Sequence, residues 1–96
     1  MSFPVYRKYP NNKNYFKIIS AAEFEEVQVL GNRYTLHVIQ SKILPDRNFI
    51  SDMINNHGGH WVMIDEAEYE QMKGRVNFSA WIVLFSMAYL RTVGKY

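Results

Sequence analysis

The chain contains no cysteine. That removes a disulfide scaffold, a thiolate metal site and a cysteine nucleophile together. It also lacks a membrane-length apolar run. The longest such stretch, 78–90, is interrupted by Ser79 and Ser86 and falls short of the roughly 17–25 residues a transmembrane helix needs. The opening Met1-Ser2-Phe3-Pro4 has neither the charged nor the apolar region of a secretory signal. No Gly-rich phosphate loop, nucleophile elbow or His-Glu-x-x-His occurs. Acids are missing altogether from residues 1–22.

What is present argues for one packed domain. Ninety-six residues at 48% hydrophobic and 16% aromatic are too apolar for disorder and too few for two domains. We therefore expect a single soluble, cytoplasmic α+β domain spanning 1–96, with no membrane insertion and no cofactor. The net charge of +2 is small, but it is unevenly spread. Residues 1–22 carry Arg7, Lys8, Lys13 and Lys17, residues 23–30 and 51–73 are acidic, and residues 74–96 are basic. Such blocks can build a local basic patch despite the weak total.

Two early runs, 5–9 and 14–19, read as strands rich in Tyr, Phe and Ile, joined through Pro10-Asn11-Asn12-Lys13 into a hairpin over 5–19. Ser20-Ala21-Ala22-Glu23 has the form of a capping box, with Ile19 and Phe24 as its hydrophobic staple and Gly31 as a stop. This predicts a helix over about 21–30. Residues 33–42 alternate as a strand. Pro45 opens a second helix whose stripe is Phe49, Ile50, Met53 and Ile54. His60 to Ile64 reads as a strand, and Asp65-Glu66-Ala67-Glu68 as a second capping box, predicting a helix over 66–73 closed by Gly74.

Aligning 15–28 with 60–73 pairs Ile19 with Ile64, Ala22 with Ala67, Glu23 with Glu68 and Glu25 with Glu70. Any strand running into a capped helix shares this grammar, so it does not by itself establish a duplication. The apolar C-terminal segment 78–92 suits either element, and its length favours a helix. The expected fold is a four-stranded antiparallel or mixed sheet, in the order β-β-α-β-α-β-α-α, with helices packed on one face.

Three chemistries deserve weighing. The pair His57 and His60 supplies two of the three or more ligands a zinc site needs, and only a recruited Asp52 or Asp65 could add a carboxylate, so no metal is expected. His37, in mid-strand, reads as a structural histidine. The acids at Glu23/Glu26 and Glu66/Glu70 are accounted for by predicted first helical turns, and nothing positive supports an enzyme. The N-terminal hairpin interleaves aromatics and cations: Tyr6, Arg7, Lys8, Lys13, Tyr15 and Lys17. Stacking rings beside phosphate-tracking cations are the ingredients of a single-stranded nucleic acid site. The leading expectation lies elsewhere. A small chain cannot hide every side of the segment bearing Phe78, Trp81, Ile82, Phe85 and Tyr89. A non-enzymatic interaction module that pairs with a second copy through that segment, most simply as a dimer, follows.

Overall fold

The computed structural model describes residues 2–77 and 81–84. Four strands form an antiparallel meander: β1 (Val5–Lys8), β2 (Asn14–Ser20), β3 (Glu23–Leu30) and β4 (Arg33–Gln40). Helix α1 (Leu44–Asn55), a 3-10 turn at His57–Gly59, the two-residue strand β5 (Val62–Met63), helix α2 (Glu66–Lys73) and strand β6 (Trp81–Leu84) follow. The sheet order is β5-β1-β2-β3-β4-β6. Its first five strands are mutually antiparallel, while β6 runs parallel to β4.

The predicted helix over 21–30 is strand β3. Ser20 and Glu23 pair directly across a two-residue Ala21-Ala22 turn. The Ser20 hydroxyl accepts from the Ala22 amide at 3.1 Å, two residues on, rather than from Glu23. The pattern that follows has period two. Phe24, Glu26 and Gln28 line one face of β3, with Glu25, Val27 and Val29 on the other. Flanked by β2 and β4, β3 satisfies its backbone on both sides in ladders, and β-branched Val27 and Val29 suit a pleated surface better than a helix. Gly31 takes φ +63° in the two-residue turn between Leu30 and Arg33, where a primed hairpin turn demands a left-handed backbone.

The other elements follow their sequence signals. Pro45 sits in the first turn of α1, and Asn56 closes that helix in the left-handed region. At the second capping box the Asp65 carboxylate accepts from the Glu68 amide at 2.9 Å, and α2 forms as predicted. The element order nevertheless differs from the one expected, with a strand where the first helix was placed. Of the segment 78–92, residues 81–84 form a strand and not a helix. The remainder lies outside the described residues.

The helices do not share a face. Cross-strand register puts Val5, Phe16, Ile18, Phe24 and Ile39 on one side of the sheet, where α1 buries Ile50 and Met53 against them together with Trp61. Tyr6, Tyr15, Val27 and Leu36 line the opposite side, beneath Tyr69 of α2. The central strands are apolar on both faces, so each face needs its own cover. One helix could not supply both.

Candidate functional site

The cation–aromatic hairpin turns out to hold the helices. The Tyr6 ring lies 5.6 Å from that of Tyr69, and its hydroxyl donates to Glu66 Oε2 at 3.2 Å. Burial first, and then the Glu66 carboxylate, push the Tyr6 phenol up to about 12. Tyr15, on the same face, is only 5% exposed. Lys8 Nζ meets Glu68 Oε2 at 2.8 Å. Arg7, on the other face, donates from Nε to the Met53 carbonyl at 3.0 Å, from Nη2 to that of Ile54 at 3.1 Å and from Nη1 to that of Tyr6 at 2.9 Å. Two of these acceptors are last-turn carbonyls of α1, and that of Met53 also accepts from the Asn56 amide at 3.2 Å. Lys17 is half-buried opposite Glu25. Lys13 alone of the six is exposed. The structure therefore places Tyr6 and Tyr15 beneath α2 and does not display them as stacking platforms.

A second constellation was not foreseen. Glu26 is 0% exposed in the middle of β3. Its Oε2 accepts from Asn14 Nδ2 at 2.6 Å. Burial pushes this carboxyl up to about 8, against the opposing effect of the Asn14 bond, so at neutral pH the neutral acid predominates. His37, 5% exposed, stands opposite Glu26 on β4, and Gln28 stands opposite both Asn14 and Thr35. Asn14, Glu26, Gln28 and His37 thus form a buried polar group on the α1 side of the sheet. Reading 23–30 as a helix hid it, because a first-turn acid would have faced solvent. The available signal was the alternation of Phe24, Glu26 and Gln28, which on a central strand sends all three inward. A wholly enclosed acid cannot meet a substrate, so in this arrangement the group is an ionisable part of the core.

His57 and His60 are exposed on the loop between α1 and β5. Gly58 and Gly59 both take positive φ there, and the His60 ring occupies the space a Cβ at Gly58 would need. His60 also meets the Trp61 ring edge-on at 5.7 Å. Among the described residues, no three His, Asp or Glu side chains gather where they could hold a metal ion.

Of the expected self-association residues, Trp81 and Ile82 belong to β6, and Phe78, Phe85 and Tyr89 lie outside the described residues. Strand β6 pairs in register with β4, Leu36 opposite Trp81 through Ile39 opposite Leu84, and among the described residues it is the last strand on that side of the sheet. Among the described residues, no helix is long and apolar enough to cross a membrane. A shallow groove of about 230 Å³ runs along α1, lined by Ala21, Arg47, Ile50, Ser51 and Ile54. No known protein family matches the chain, and neither does any curated protein or solved structure.

Proposed function

We propose that this chain is a small non-enzymatic interaction module that pairs with a second copy of itself through its apolar C-terminal segment. The observation that carries this reading is the position of β6. A terminal strand presents a row of backbone donors and acceptors, and proteins blunt such edges with charges, proline or extreme shortness. The β5 edge is blunted by shortness, since it is two residues long. Strand β6 reads Trp-Ile-Val-Leu, without charge or proline, and among the described residues no strand pairs with its outer side. Two identical neutral strands meeting about a two-fold axis bring no like charges together, and isologous pairing is the commonest route to a closed dimer.

Light scattering on the eluting protein at micromolar concentration tests the reading. The expected result is a dimer that Ile82→Lys converts to monomer, because a lysine on an edge strand opposes edge-to-edge pairing. Circular dichroism on the variant separates loss of pairing from loss of fold. A wild-type chain that elutes as a monomer ends the proposal.

A further inference from the structure

Three exposed basic residues, Lys13, Arg33 and Arg75, lie at one end of the sheet. Both the β1–β2 turn and the β3–β4 turn lie at that end, since the four strands form a meander. The Lys13 carbonyl accepts from the Val29 amide at 2.8 Å, and Val29 stands opposite Tyr34. Lys13, Val29 and Tyr34 therefore make one backbone row across β2, β3 and β4. Arg33 follows the turn at Gly31-Asn32, opposite Leu30. Arg75, just past α2, donates from Nη1 to the Tyr34 hydroxyl at 3.2 Å, with its guanidinium 5.7 Å from the centre of that ring. Lys13, Arg33 and Arg75 are all exposed.

No carboxylate side chain comes from the stretches that build this end. Residues 1–22, 27–45 and 71–77 contain neither Asp nor Glu. Three of the acids beside α2 serve internal partners: Glu25 holds Tyr69 and Lys73, Glu66 holds Tyr6, and Glu68 holds Lys8; Glu70 is exposed on α2. A cation near a helix C-terminus is explained by the macrodipole, which accounts for Arg75 alone. Lys13 and Arg33, on two hairpins about 10 Å apart at ordinary strand spacing, have no such explanation.

We infer that this end, built from Lys13, Arg33 and Arg75, is an anion-binding surface whose partner is single-stranded nucleic acid. Cations track the phosphates, and the Arg75 guanidinium, held against Tyr34, offers a plane on which an unstacked base can lie. A duplex keeps its base faces stacked away from such a plane. A membrane surface fits less well. Leu30 is the one large apolar side chain exposed among the described residues of these two turns, and Asn11, Asn12 and Asn32 around it are polar. The surface replaces the hairpin array expected from the sequence and shares only Lys13 with it.

Fluorescence anisotropy of the full chain with a labelled oligo(dT) of about twenty nucleotides tests this. With three phosphates neutralised, log K falls with log salt at a slope of about −2, so binding weakens roughly 100-fold over a tenfold rise in salt. Lys13→Ala and Arg33→Ala each flatten that slope by about 0.7, and the double reversal K13E/R33E abolishes binding at low salt. Arg75→Ala weakens binding too, but it also removes the Tyr34 contact, so the other two variants carry the test. Four results overturn the inference: no binding at about 20 mM salt, an unchanged slope in both single variants, a preference for duplex, or binding confined to phosphatidylserine vesicles.

Discussion

Replacing the enclosed carboxyl of Glu26 with an amide should change how stability depends on pH more than it changes the fold. Glu26 is fully buried, its pKa is near 8 in the folded chain, and its ordinary value is 4.5. The folded state therefore holds a proton that the unfolded state releases between those values. Stability from this group is fully present below about pH 4.5, declines as pH rises, and is spent above about pH 8. Within that window the loss approaches 1.4 kcal/mol per pH unit, and the whole difference of about 3.5 units corresponds to a ceiling of about 5 kcal/mol. That is comparable with the total stability of many small domains, about 5–15 kcal/mol, so the effect is well within reach of measurement. Glu26→Gln keeps an oxygen to accept from Asn14 Nδ2 and cannot ionise. Urea unfolding followed by tryptophan fluorescence at several pH values from 5 to 8, marking about the span of the transition, should find the two proteins nearly equal at the acid end. The variant should then gain steadily, by several kcal/mol at the alkaline end. Taking the difference between the two proteins cancels the titrating groups that are not coupled to Glu26. A gap that stays constant with pH would refute the reasoning.

Other perturbations test the joints of the fold. Arg7→Met removes the Arg7 bonds to the Met53 and Ile54 carbonyls, the former keeping the Asn56 amide, and should cost about 2 kcal/mol, read as a lower urea midpoint with an unchanged slope. Asp65→Ala should cost about 1 kcal/mol by removing a true N-cap, whereas Ser20→Ala, at a hairpin turn, should cost less than about 0.5 kcal/mol. Equal losses at the two sites would place a helix after Ser20 after all.

That last pair states what the sequence could and could not convey. Asp65-x-x-Glu68 and Ser20-x-x-Glu23 share one grammar, and only the first begins a helix. After Asp65 the apolar residues Tyr69 and Met72 fall three apart on one stripe. After Ser20 they alternate, and β2 and β4 lie ready on either side to complete ladders. Local capping chemistry was legible in both, but the tertiary partners that override it were not. The hairpin of β1 and β2, the strand β4 and both true helices could be read because period and punctuation agree there. The site was harder to read. Alternation along β1 and β2 sorted Tyr6 and Lys8 from Arg7 correctly, yet it could not say that a helix covers each face. With α2 on one side and α1 on the other, residues that looked available for a ligand became the contacts that seat those helices. The exposed cations Lys13, Arg33 and Arg75 come from two hairpin turns and the end of α2, which no local window brings together.

The proposal that the chain pairs through β6 is tested most directly by sedimentation velocity over a dilution series. It predicts a reversible shift between the 11.4 kDa chain and a species of twice that mass, with Ile82→Lys remaining at the lighter one throughout. A single 11.4 kDa boundary for the wild-type protein, unchanged up to about 100 μM where even a weak dimer of micromolar Kd would populate, contradicts it.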